Sequence, residues 1–99
     1  MDKREALNTA KKYATLVRKE LSPSEIILYG SYSNGNPNKN SDIDIAVIFN
    51  GIEGDFLGAS TRLWLLAYKV SDDIEPVLID SANDKSGFLS TVKSTGVGL

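Results

Sequence analysis

Asp42 and Asp44 stand two positions apart where the chain enters an apolar run, Ile43 to Phe49, that reads as a strand. Side chains at i and i+2 of a strand share a face, so the two carboxylates converge while Ile43, Ile45 and Val47 occupy the opposite face. Like charges held that close cost free energy unless a cation compensates them. The 99 residues contain no cysteine and no histidine, so the donors are oxygen atoms, and oxygen ligands favour Mg2+ or Mn2+ over zinc or copper. Glu75, second in the apolar run Ile74 to Ile79, is the best third carboxylate, as a further ligand or as a base. Asp72 and Asp73 precede that run and Asp80 ends it, and all three are more simply turn or cap residues.

Gly30-Ser31 closes an earlier apolar run, Ile26-Ile27-Leu28-Tyr29, and can turn backbone N–H groups toward phosphate oxygens. Gly30 to Gly35 spaces like a P-loop, yet Asn36-Pro37 stand where Lys-Ser/Thr is required. Asn38, Asn40 and Asp42 imitate the first ligands of a calcium loop, but Ile43 replaces its glycine and Phe49 its terminal glutamate. Both of those sites are excluded. The missing cysteine and histidine also exclude disulfides, thiolate chemistry, zinc fingers and imidazole catalysis.

The elements that must position these groups are legible from spacing. Asp2 and Glu5 have the spacing of a capping box, and Leu7, Ala10, Ala14, Val17 and Leu21 recur at three- and four-residue intervals, which predicts an amphipathic helix ending near Leu21. Pro23 breaks it. Ile26 to Tyr29 predicts a first strand, 33–41 a loop of turn formers, and Ile43 to Phe49 a second strand. Asp55 caps a second helix carrying Ala59, Leu63, Leu66, Ala67 and Val70, with Trp64 beside that stripe. A third strand over Ile74 to Ile79 and a short helix around Phe88, Leu89 and Val92 complete the chain.

Strand, helix and strand between 43 and 79 form a crossover unit, which makes strands two and three parallel neighbours. The loop between strands one and two holds no helix, so those two are expected to be antiparallel. The predicted fold is α/β (α+β), a small mixed three-stranded sheet with flanking helices, in one domain spanning 1–99 with a single core.

Net charge is −2, but the first twenty residues carry six cations against three acids and the remainder is acidic. A solvated helix face is the ordinary meaning of such a bias, and direct nucleic-acid binding is not expected. No apolar run approaches the ~18–20 residues that cross a bilayer, and a cytoplasmic protein is expected. Tyr29, Trp64 and Tyr68 can stack a base, although aromatics at helix and strand positions are more often core.

Residues 28–48, LYGSYSNGNPNKNSDIDIAVI, resemble the signature of the nucleotidyltransferase superfamily that includes the polymerase β-like enzymes. The whole span is similar to its minimal form, the MNT domain, and Ile74-Glu75-Pro76-Val77 looks like the third-carboxylate strand. The resemblance implies Mg2+, or Mn2+, held by Asp42 and Asp44 with Glu75, and ATP or another nucleoside triphosphate as substrate. Gly30 and Ser31 would position its phosphates and Glu75 would orient or deprotonate an attacking hydroxyl. Where relatives commonly carry Arg or Lys this chain has Asn34, which cannot supply a cation; Lys39 is the substitute within the loop. MNT domains of this size resemble antitoxins of two-gene modules, some of which add AMP to a tyrosine of a helical HEPN-type partner. That reading implies a protein partner and a homo- or hetero-oligomer. Its rivals are a module that neutralises or scaffolds its partner by binding alone, and a small-molecule nucleotidyltransferase completed by a helical subunit.

Overall fold

The structure, a computed structural model, describes residues 2–32 and 42–99. The order of elements is α1 (Lys3–Glu20), β1 (Glu25–Tyr29), a 3-10 turn (Gly30–Tyr32), β2 (Ile43–Phe49), α2 (Phe56–Val70), β3 (Ile74–Asp80), α3 (Phe88–Thr95) and β4 (Val97–Gly98). Asp2 caps α1 by accepting from Glu5 N–H at 2.8 Å, and Asp55 caps α2 by accepting from Gly58 N–H at 2.9 Å. Each satisfies one of the donors that a helix start leaves without a partner.

The sheet has the order β3-β2-β1-β4. β1 and β2 are antiparallel and β2 and β3 parallel, as the loop and crossover lengths require. The expected three strands are joined by a fourth: β4 pairs Val97 and Gly98 with Leu28 and Ile27 of β1. Leu99 extends that edge, its N–H donating to the Ile26 carbonyl and its carbonyl accepting from Arg18 Nη2.

Alternation along the strands divides the core in two. Ile26 and Leu28, Ile43, Ile45 and Val47, and Ile74 and Leu78 face α1 and α2. Ile27, Ala46, Ile48 and Ile79 face the other side, under Val92 and Leu89 of α3. β2 is buried on both faces along most of its length, the usual state of a central strand.

The buried stripe of α1 is Ala6, Ala10, Tyr13, Ala14 and Val17, with Leu7 and Leu21 only partly covered. Three alanines let the helix approach the sheet closely, and Tyr13, fully buried, donates its hydroxyl to the Leu63 carbonyl of α2 at 3.0 Å. In α2, Leu63, Leu66 and Ala67 are buried while Ala59 and Val70 sit half-covered near the ends. Among the described residues no helix is long and apolar enough to cross a membrane.

Candidate active site

Asp44 lies opposite Tyr29 of β1 and beside Glu75 of β3, so Tyr29, Asp44 and Glu75 form one row across three strands. All three belong to the α3 side of the sheet. Asp42 directly precedes β2, two positions before Asp44, and its charge acts on both Asp44 and Glu75. Asp42 and Glu75 are exposed and Asp44 is half-buried.

The electrostatics of the row follow from this crowding. Burial first, and then the Asp42 charge, push the Asp44 carboxyl above its ordinary range. Glu75 is also raised, by loss of water first and then by the charges of Asp42 and Asp44. Tyr29 is pushed up to about 12, by burial and then by Asp44 and Glu75. Burial raises the Tyr32 phenol too, with Asp73, Asp2, Asp42 and Glu5 adding to it, so this end of the molecule gathers negative charge. The ion pairs found among the described residues, Glu20 with Arg62 and Glu25 with Lys93, lie elsewhere.

Gly30 turns the chain out of β1 with φ +78°. A Cβ there would collide with Oδ2 of Asp44 and stand 3.2 Å from its Cγ. Glycine is thus required twice, by a backbone angle that L side chains rarely adopt and by the carboxylate resting on it. The glycine turn and the aspartates are parts of one site.

The row suits a small hard cation in donor chemistry, being all oxygen and repelling itself when bare. Among the described residues no group of three or more carboxylates is gathered closely enough to hold an ion unaided. Mg2+ commonly takes one or two protein carboxylates and completes its shell with water and phosphate oxygens.

The fold therefore brings Gly30, Asp42, Asp44 and Glu75 to one end of the sheet, with Ser31 following in the same turn. Asn34 and Lys39 lie outside the described residues. Asp80 is the turn residue expected, accepting from Gly51 N–H at 3.0 Å, Ile52 N–H at 3.2 Å, Ala82 N–H at 3.0 Å and Asn83 Nδ2 at 2.8 Å. Trp64 and Tyr68 contact each other on α2, on the opposite side of the sheet from the row. Tyr29, a residue able to stack a base, is a neighbour of the carboxylates, and its ring meets Phe88 edge-on at 5.7 Å. Its position as the last residue before Gly30 was the available signal, but the hairpin register that sets it opposite Asp44 is not written in that signal.

A family model described as "Nucleotidyltransferase domain" matches residues 10–85. No curated protein matches the chain. Among solved structures, a candidate nucleotidyltransferase from Sulfolobus solfataricus superposes with a TM-score of 0.67 at 23% identity, over 97% of this chain and 80% of that one. At that identity the likeness concerns the fold. A mutant of the toxin-antitoxin MntA-HpeT, in which two aspartates two positions apart are replaced by glutamate, gives 0.67 at 27% identity, over 90% of this chain and 70% of that one. A toxin-antitoxin structure with AMP-PNP gives 0.68 at 30% identity with the same coverage.

Proposed function

Because this chain belongs to the nucleotidyltransferase domain family, we propose that it moves a nucleoside monophosphate, AMP from ATP by preference, onto a hydroxyl of a partner protein. The observation that carries the reading is the row in which Asp44 meets Glu75 in register, with Asp42 two positions before Asp44 and the Gly30 turn resting against Asp44.

Asp42 and Asp44 would hold Mg2+, or Mn2+, with Glu75 in reach as a further ligand; the bound ion supplies charge that stabilises the entering and leaving oxygens of an in-line displacement. Gly30 and Ser31 offer backbone N–H groups to the β- and γ-phosphates. Asn34 and Lys39 are assigned to the same triphosphate, as its neutral and cationic loop contacts. Glu75, its carboxyl raised above the ordinary range, orients the attacking hydroxyl and accepts its proton. Tyr29 and Phe88 bound the site on the β1 side.

The partner we assign is a helical HEPN-type toxin, with one of its tyrosines as acceptor and this chain as the cytoplasmic antitoxin. Two of the similar solved structures are toxin-antitoxin assemblies, and one of them was solved with AMP-PNP. The test is label transfer from ATP labelled at the α- or the γ-phosphate, with Mg2+ and the product of the neighbouring gene, using the wild-type chain and Asp42→Asn/Asp44→Asn. Metal-dependent transfer of α-label alone, lost in the variant, is the expected result. Tight partner binding with no transfer of either label overturns the enzyme in favour of a module that acts by binding.

A further inference from the structure

β3 is an outer strand of the sheet. Its ladder to β2 opens with Ile43 N–H donating to the Asp73 carbonyl at 2.8 Å and closes with Ser81 N–H donating to the Phe49 carbonyl at 2.8 Å. Successive residues of a strand turn their backbone groups to alternate sides, so the odd-numbered residues of β3 face β2 and Pro76, Leu78 and Asp80 face outward. Proline lacks an N–H and is tolerated at an outward position. The outward groups are the Pro76 carbonyl, both backbone groups of Leu78 and the Asp80 N–H. Among the described residues no hydrogen bond from another element reaches them.

Beside this edge runs a groove of about 550 Å3. Ile52 and Phe56 line it from the α2 side, and Val77, Ile79 and Phe88 from the α3 side. Phe56 is 50% exposed and Phe88 38%, large apolar groups that the chain itself leaves uncovered. The charged lining residues are Asp80 and Asp84, with no lysine or arginine among them. Glu75, Val77 and Ile79 alternate on one face of β3, so the groove leads along the strand to Glu75.

We propose that the acceptor arrives as an extended, basic peptide segment that adds to the free edge of β3, an inference that rests on the nucleotidyltransferase reading. Its main chain pairs with Leu78 and the Pro76 carbonyl, its apolar side chains rest on Phe56 and Phe88, and its lysines or arginines face Asp80 and Asp84. In such strand addition the main-chain bonds give affinity and alternate side chains give selectivity. Pro76 offers no donor, so pairing ends there and the next residue leaves the edge over Glu75. A tyrosine, serine or threonine at that point has its hydroxyl beside the carboxylate. The hydroxyl oxygen then bonds to the α-phosphorus of the nucleoside triphosphate, the bond from that phosphorus to the oxygen bridging to the β-phosphate breaks, and pyrophosphate leaves. The hydroxyl proton passes to Glu75 and on to water.

The test combines amide exchange of the 15N-labelled chain with transfer of α-label from ATP and Mg2+ to a synthetic peptide of alternating valine and lysine ending in tyrosine. Saturating peptide is expected to slow exchange at Leu78 at least tenfold, to leave Ile45 unchanged, and to become labelled. Methylating alternate backbone nitrogens of the peptide, on its pairing side, is expected to abolish both effects. Phe56→Ser is expected to cut peptide labelling about tenfold while the slow splitting of ATP to AMP and pyrophosphate by water continues unchanged. Unaltered exchange at Leu78, with ATP still split or the peptide still labelled, overturns the edge site and keeps the transferase. Protection of Leu78 that is lost on methylation, with no splitting of ATP and no label, supports the edge and overturns the transferase reading.

Discussion

Replacing Gly30 by alanine separates the two reasons for glycine at the head of the site. The backbone there has φ +78°, and an L residue in the left-handed region costs roughly 1–2 kcal/mol. Part of that is offset by the stiffer unfolded chain, worth about 0.4–1 kcal/mol. The added methyl also collides with Oδ2 of Asp44, whose backbone is fixed between β1 and β3. Only the aspartate side chain can move, and leaving its rotamer costs roughly 0.5–1.5 kcal/mol. The sum is a loss of about 0.5–3 kcal/mol, and with roughly 4–8 °C per kcal/mol for a domain of this size the melting temperature falls by roughly 2–25 °C.

Gly51→Ala is the control. Gly51 has φ +85°, but a Cβ there meets nothing within 4 Å, so it carries the backbone part alone. Melting curves followed by circular dichroism, with and without Mg2+ and AMP-PNP, read both consequences. Gly30→Ala is expected to lose more stability than Gly51→Ala and to lose the stabilisation by metal and nucleotide, with transfer of α-label down by about 100-fold, the scale of an ångström-sized misplacement. Equal losses in the two variants, with ligand stabilisation intact in Gly30→Ala, would refute the claim that the turn and Asp44 are one unit.

Asp44 has a raised carboxyl, so its ionised form opposes folding: the penalty is absent well below pH 3.8 and grows as pH rises through and beyond that value. Asp44→Asn is therefore expected to melt above the wild type at pH 7 without metal and to match it near pH 3, while α-label transfer falls by at least ~100-fold; a lower melting temperature at pH 7 contradicts the crowding. Asp80 has the opposite sign, lowered first by Asn83 and then by the N–H groups of Ala82, Ile52 and Gly51. Its contribution is present above pH 3.8 and is lost as pH falls through the lowered value, so Asp80→Ala should flatten the acid limb of the stability curve and lower the melting temperature at neutral pH. Tyr13→Phe removes the bond from α1 to the Leu63 carbonyl and should cost about 0.5–1.5 kcal/mol in urea titrations without altering nucleotide binding.

The site was more legible in the sequence than the surroundings that hold it. Side-chain period 2 set Asp42 and Asp44 on one face, and the length of the crossover set β3 beside β2, which sufficed to bring Glu75 to Asp44. Tyr29 was not placed, because its partner depends on a register fixed across the segment 30–42 and not on any local preference. β4 has two residues, too few to show alternation, and exists through pairing with β1. In α1 the periodicity was right and the buried members differed: spacing chose Leu7 and Leu21, whereas close approach to the sheet selected Ala6, and the Leu63 carbonyl gave Tyr13 a polar partner that burial demands.

Asp44 and Glu75 are neighbours in the sheet but 31 positions apart in the chain, with all of α2 between them. Local hairpin formation can align β1 with β2, yet the carboxylate row is complete only after the parallel pair closes, a non-local step that is slow by nature. During synthesis the chain therefore passes through a stage that displays Asp42 and Asp44 without Glu75 beside them. Ligands that need the whole row bind only the finished fold, and each tenfold excess over their dissociation constant adds about 1.4 kcal/mol to its stability. The lifetime of the folded chain in a cell would then rise and fall with nucleotide supply.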